Sequence, residues 1–166
     1  MSVKTQGTEL WIYVPKTNEI LDMGCVESIT GIDGAVSQIS TSCLRDLAGK
    51  SEAGLIEPGQ AAIGIQFDPQ NPSHMKLHQL YKNGTTFDAF IGFRYEDADG
   101  VVQVPGPAPT YDSGTSKVEI PEERDWILFS CYFANFPFEF QGNDVVRSAL
   151  TVQISGDIVP VAGVRP

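Results

Sequence analysis

Residues 59–95 read GQAAIGIQFDPQNPSHMKLHQLYKNGTTFDAFIGFRY, and their pattern decides the fold. In Gln60–Asp68 the apolar Ala61, Ile63, Ile65 and Phe67 alternate with Gln60, Ala62, Gly64, Gln66 and Asp68. A period of two predicts a strand with one face on a core and the other face small and polar. Asp68-Pro69-Gln70-Asn71-Pro72 ends that strand, because neither proline donates to a ladder. Asn71 before Pro72 predicts a helix start: a capping side chain, then a residue whose fixed φ suits the first helical position. Leu77, Leu80 and Tyr81 form one apolar stripe at helical spacing. Asn83-Gly84 closes the helix, since glycine tolerates the left-handed conformation there. Thr86–Tyr95 is again a strand, with Phe87, Ala89, Ile91, Phe93 and Tyr95 on one side. One short helix at about 72–83 between strands predicts a mainly β domain with a helix laid against it.

On the N-terminal side, Leu10–Val14 reads as a strand and Pro15–Asn18 as a turn. Ile20–Ile32 is strand-like with imperfect alternation. Asp33-Gly34 is a tight-turn dipeptide. Val36–Cys43 follows as a strand, with Ile39, Thr41 and Cys43 on one face and Gln38, Ser40 and Ser42 on the other, so a hairpin between these two strands is expected. Leu44–Pro58 reads as a long loop, which in a compact domain is usually functional. On the C-terminal side, Glu96–Gly100 is a turn, Val101–Val104 a short strand and Pro105–Arg124 a second long loop. Trp126–Phe133 is apolar on both faces, as in a strand covered twice, by its own domain or by another subunit. Asn135–Phe140 bends away, Gln141–Asp144 turns, and Val145–Val159 alternates cleanly. No repeat, low-complexity tract or composition break divides residues 1–166, so a single domain is expected, with 1–7 and 160–166 as flexible arms.

The 166-residue chain is 42% hydrophobic, which excludes wholesale disorder, and carries a formal charge of −10. Thr17–Met75 holds eight acids against Arg45 and Lys50. That balance excludes tight, sequence-specific nucleic-acid binding, which needs cations on phosphates. The three cysteines, Cys25, Cys43 and Cys131, form neither a disulfide framework nor a metal motif, and are expected as small buried hydrophobes in a reducing compartment. The N-terminus shows no signal-peptide pattern and no segment reaches membrane-spanning length, so no membrane insertion is expected and the Asn83-Gly84-Thr85 glycosylation match is idle.

Catalytic patterns are weak. His74 and His78 have zinc-chelating spacing on the helix but no third ligand beside them. Asp97-x-Asp99-Gly100 resembles the start of a calcium loop but reads better as a hairpin turn. No phosphate-binding loop or nucleophile elbow occurs, and Cys131 in an apolar strand is expected to be inert. No enzyme activity and no cofactor or metal are expected. The positive signal lies in surfaces. Gln60–Asp68, Val36–Cys43 and Val145–Val159 each pair an apolar face with one of Gln, Ser, Thr, Gly and Asp, and Arg147 is the exception in faces otherwise short of cations. Such a wall suits the passage of something anionic.

The stretches Gly7-Thr8-Glu9-Leu10-Trp11-Ile12-Tyr13-Val14, Tyr81-Lys82-Asn83-Gly84, Phe87-Asp88-Ala89-Phe90-Ile91-Gly92-Phe93 and Leu150–Ile158, in this order and spacing, resemble the tail tube (major tail) proteins of bacteriophages with long non-contractile tails. The resemblance covers nearly the whole chain. It implies a β-sandwich or barrel of the tail-tube type with one flanking helix, and a structural virion protein made in the host cytoplasm. It also implies hexameric rings stacked into a hollow tube that passes DNA during ejection. The implied partners are other copies of the chain, proteins at the tube ends and the tape measure protein, with DNA as non-specific cargo. The lining expected for such a channel is Glu27, Gln38, Ser40, Ser42, Gln60, Gln66, Asp68, Gln153, Ser155 and Asp157. Leu44–Pro58 and Pro105–Arg124 are expected between rings or subunits. Two other readings stay open: a soluble β-sandwich binding module, and an Hcp-like tube of a secretion machine.

Overall fold

A computed structural model describes residues 2–164. In chain order the elements are β1 (Glu9–Val14), β2 (Glu19–Asp22), β3 (Val26–Thr30), β4 (Gly34–Ser40), β5 (Ser51–Pro58), β6 (Gln60–Gln66), α1 (Pro72–Asn83), β7 (Phe87–Gly92), β8 (Thr110–Asp112), β9 (Lys117–Glu119), β10 (Trp126–Asn135) and β11 (Arg147–Val161). The main sheet has seven strands in the order β2-β1-β7-β10-β11-β6-β3, and every pair is antiparallel. β2 and β3 occupy opposite edges, yet only Met23, Gly24 and Cys25 lie between them. Extended chain of that length spans at most about 14 Å, so the sheet must roll until its edges approach. The edges do not pair, and the sheet stays open rather than closing into a barrel.

Rolling puts one face of every strand on a common core. Leu10 and Ile12, Ile63 and Ile65, Phe87 and Ile91, Phe129 and Cys131, and Leu150 and Val152 point inward, and Leu77 of α1 joins them. Each large apolar side chain buried there stabilises the fold by about 1.5–3 kcal/mol. The unit at 59–95 forms as its residues dictate. Ala61, Ile63 and Ile65 are buried in β6, and Asn71 Oδ1 accepts the Ser73 amide at 3.0 Å to cap α1. Pro72 opens the helix and Gly84 ends it at φ 61°. His74 is also buried. Its Nδ1 accepts the Asp68 amide at 2.9 Å, so Nε2 carries the proton and donates to the Met23 carbonyl at 2.9 Å. That bond fastens α1 to the crossing between the two sheet edges and leaves neither ring nitrogen for a metal.

The outer face of the sheet divides in two. On β1, β7 and β10 it carries Trp11, Phe90 and Trp126, covered by Val118 and Ile120 from the β8–β9 segment. The first part of β10, at Trp126 and Leu128, is therefore covered on its second side by its own chain. On β10, β11, β6 and β3 the rest of the outer face is bare.

Several expectations are corrected. Ile20–Ile32 is two strands on opposite edges, broken at Met23–Cys25, and it forms no hairpin with Val36–Cys43. Gly31, not Gly34, takes the positive φ (76°), so Asp33-Gly34 is a kink and not a turn. The chain continues past it from β3 into β4 and turns only over residues 41–50. It returns through β5 into β6, with the Gly59 amide on the Asp33 carbonyl at 3.0 Å. Leu44–Pro58 thus contains a strand. β4 and β5 form a two-stranded ribbon standing clear of the core, so Val36–Cys43 has no buried face. Val101–Val104 contributes one bridge, Glu96↔Val102, rather than a strand. Pro105–Arg124 holds the β8–β9 hairpin. Cys25 and Cys43 are exposed, and of the three cysteines only Cys131 is buried. Of the expected arms, Met1, Arg165 and Pro166 lie outside the described residues. Pro160 and Val161 close β11, and Gly163 and Val164 donate to Asp125 Oδ1 and the Glu122 carbonyl.

Candidate functional site

The bare part of the outer face is built by register. Ser28 faces Gly64 and Thr30 faces Ala62 across β3 and β6, and Ala62 and Gly64 face Thr151 and Ala149 across β6 and β11. The packing here needs small residues: a Cβ on Gly64 would lie 2.8 Å from Ser28 Oγ. The four strands VESIT, QAAIGIQ, WILFSCYFAN and RSALTVQISGDIVPV contain one cation, Arg147. Its guanidinium is already engaged. Nε donates to Glu27 Oε1 at 3.2 Å and Nη1 to Asp144 Oδ2 at 2.8 Å, while Gln66 Nε2 donates to the same Glu27 oxygen at 2.8 Å. Exposed pairs of this kind add about 0–1 kcal/mol each, so their main consequence is to balance the face's one positive charge.

The residues expected from sequence to line a channel fall into four places. Glu27 and Gln66 meet at the rim just described, and Asp68 follows β6 in the turn, accepting the Gln70 amide at 2.9 Å. Gln60 and Gln153 are register partners at the other end of β6, where Gln153 Nε2 donates to the Gly59 carbonyl at 3.2 Å and fastens the root of the ribbon. Ser155 and Asp157 lie farther along β11, on either side of Gly156 at φ 92°. Gln38 and Ser40 are on the β4 strand of the ribbon, and Ser42 closes its tip by accepting the Lys50 amide at 2.6 Å. Sequence reasoning misses Ser28 and Thr30, because the bulge at Glu27 breaks the alternation of β3 that would have revealed them.

The ribbon is the second feature. Leu44, Leu47 and Leu55 are 108%, 106% and 84% exposed, far beyond what isolated surface leucines need explaining by. At its tip the Cys43 amide and then Lys50 hold the Asp46 carboxyl below the usual carboxylate range. The β8–β9 turn is made the same way: the Gly114 amide and then Thr115 lower Asp112.

The flap carrying β8–β9 is anchored by Arg124, whose side chain is fully buried. Nη1 donates to Glu9 Oε2 at 2.7 Å and Nη2 to the Gly7 and Gly92 carbonyls at 3.0 Å each, while Nε meets the Phe93 carbonyl. The guanidinium lies over the Trp11 and Trp126 rings at 5.2 and 5.4 Å. Among the described residues no group of His, Cys, Asp and Glu is placed to hold a metal. Burial pushes the Cys131 thiol far up, and the Asp97 carboxylate is occupied by the amides of Val101 and Asp99 and by Gln103, as in a turn.

Comparison with known proteins bears on the family and the fold. The family described as "Phage tail tube, TTP, lambda-like" matches residues 1–162. "Structural protein 3" of Pseudomonas phage PAJU2 is 38% identical over 158 residues, covering 95% of this chain and 92% of that protein. Among solved structures, the SPP1 tail tube superposes with a TM-score of 0.64 at 8% identity, covering 99% of this chain and 81% of that one. The tail of an empty gene transfer agent particle gives 0.62 at 8% identity, covering 97% and 100%. The sheath–tube complex of the extracellular contractile injection system PVC gives 0.61 at 12% identity, covering 97% and 92%. At such identities these structures share the fold.

Proposed function

The chain belongs to the lambda-like phage tail tube protein family, a structural component of the virion tail, and from that premise we propose how its surfaces are used. Copies close into hexameric rings, rings stack head to tail, and the bare outer face of β3, β6, β11 and β10 lines the bore through which DNA leaves. The observation that carries this reading is the outward face of those strands: Ser28, Thr30, Ala62, Gly64, Ala149 and Thr151 are small and neutral, and the one arginine, Arg147, is already held by two carboxylates. A polyanion sliding past such a wall releases no counterions on contact and finds nothing to hold it. Ring contacts between different patches can close, whereas stacking contacts need not, so a tube grows. The partners are other copies of the chain, the proteins that end the tube and the tape measure protein, with DNA as cargo. Trp11 and Trp126, the two tryptophans that a binding module could offer to a ligand, are instead buried against Arg124. The role is structural rather than enzymatic, and it places synthesis in the host cytoplasm.

The test adds cations to the wall. Ala62→Lys with Thr151→Lys puts two ammonium groups at one register pair. Tubes of normal width are expected, with infectivity reduced by at least roughly tenfold through slowed ejection. Normal infectivity in that variant removes this face from the bore.

A further inference from the structure

The ribbon's leucines have no cover in their own chain, and the molecule presents a second uncovered apolar patch. Phe140 is 78% exposed, Val145 48% and Phe138 40%, all in the connection between β10 and β11. β6 relates the two patches. Its first residue, Gln60, follows the ribbon's root at Gly59. At its other end the Phe67 amide donates to the Val146 carbonyl at 2.9 Å, and the Phe67 ring packs on Phe138 at 5.0 Å. The ribbon root and the phenylalanine patch are therefore separated along the strand by about 20 Å, one at each end. Charge follows the same division. Arg45, beside Leu44 at the tip, and Glu139, between Phe138 and Phe140, are exposed, and neither forms an ion pair among the described residues.

We propose that the ribbon tip of one copy seats on the Phe138–Phe140 patch of the next copy, with Arg45 against Glu139. This rests on the tube reading above and names the surface that receives the ribbon. Two unlike patches, one at the tip of the ribbon and one beyond the end of β6 far from the ribbon's root, make a heterologous contact, which can repeat without closing and so build along an axis. Ribbon against ribbon is the alternative pairing, but it would be isologous and stop at a dimer. It would also set Arg45 against Arg45 and leave the phenylalanines in water.

The contact is tested in the full-length protein by cross-linking. Cys43 is already exposed at the tip. A Cys25→Ser, Phe140→Cys variant, oxidised after assembly, is expected to give a ladder of dimers, trimers and longer chains on a non-reducing gel. The unsubstituted protein gives none through position 140. Separately, Arg45→Glu or Glu139→Arg is expected to raise the concentration needed for assembly about fivefold, and the double variant to restore it. A ladder together with that restoration supports the contact. Normal tubes without a ladder overturn the contact while leaving the tube reading intact. Cross-linked dimers alone mark ribbon-to-ribbon pairing and also overturn it. An unsubstituted protein that never forms tubes at any concentration removes the tube reading and this contact together.

Discussion

The β4–β5 ribbon and the β8–β9 flap take up the two stretches that read from sequence as long loops, Leu44–Pro58 and Pro105–Arg124, and both are two-stranded hairpins. They end differently. The flap folds back, placing Val118 and Ile120 over Trp11 and Trp126, and Arg124 ties its base to β1, β7 and the N-terminal segment. The ribbon stands out, with Val36, Ile39, Leu55 and Ile56 all more than half exposed. Each such side chain forgoes about 1.5–3 kcal/mol that burial would supply. An apolar hairpin left uncovered by its own chain is what the proposed contact between copies would use.

The contrast is open to attack by mutation, with stability as the ruler. Arg124→Ala is expected to cost the most, about 3–5 kcal/mol, because it leaves the mostly covered Glu9 carboxylate without its ion-pair partner and strips several carbonyls of a donor. Calorimetry should register a fall in Tm on the order of 10 °C, and a smaller fall would mean that the flap is held by its apolar contacts alone. Ile120→Ala removes part of the cover over Trp126 and should cost about 1–2 kcal/mol by denaturant unfolding, with assembly altered only through stability. Leu44→Ser with Leu47→Ser should change stability by less than about 0.5 kcal/mol and yet leave particles that fail to pellet as tubes. If the pair instead unfolds the protein, the ribbon belongs to the domain's own core and the contrast fails. The smallest effect concerns acid. Asp46 and Asp112 have lowered carboxyl pKa values, so their bonds contribute at neutral pH, above the unfolded value, and are lost as pH falls through the folded one. The protection of the Cys43 and Gly114 amides against hydrogen exchange, relative to their intrinsic rates, should therefore fall together below about pH 4. Unequal responses would place the difference between the two hairpins in their turns rather than in what they pack against.

Where a residue meets the core, the sequence announces it. β6 and β11 alternate because one side is buried, and α1 is marked at both ends by Asn71, Pro72 and Gly84, so these elements are legible without coordinates. Ser51–Pro58 is a strand with no buried side, and its Ser-Glu-Ala-Gly-Leu-Ile run carries no period for that reason. The break at Met23–Cys25 is hidden because Met23 is buried like the strand residues around it. In the candidate lining, face assignment places Gln60, Gln66 and Gln153 on the sheet, while Gln38, Ser40 and Ser42 alternate along a ribbon that has left it. Alternation reports which side of a strand a residue occupies, and it is blind to which sheet the strand joins.

The clasp around Arg124 has a practical consequence. Both tryptophans of the chain, Trp11 and Trp126, lie against that one guanidinium, so indole fluorescence reports on the base of the flap. The ribbon offers no indole, but a dye on the exposed thiol of Cys43 would report from its tip. One sample can then show, at two wavelengths, whether the hinge-side cover opens before, with or after the copies find one another.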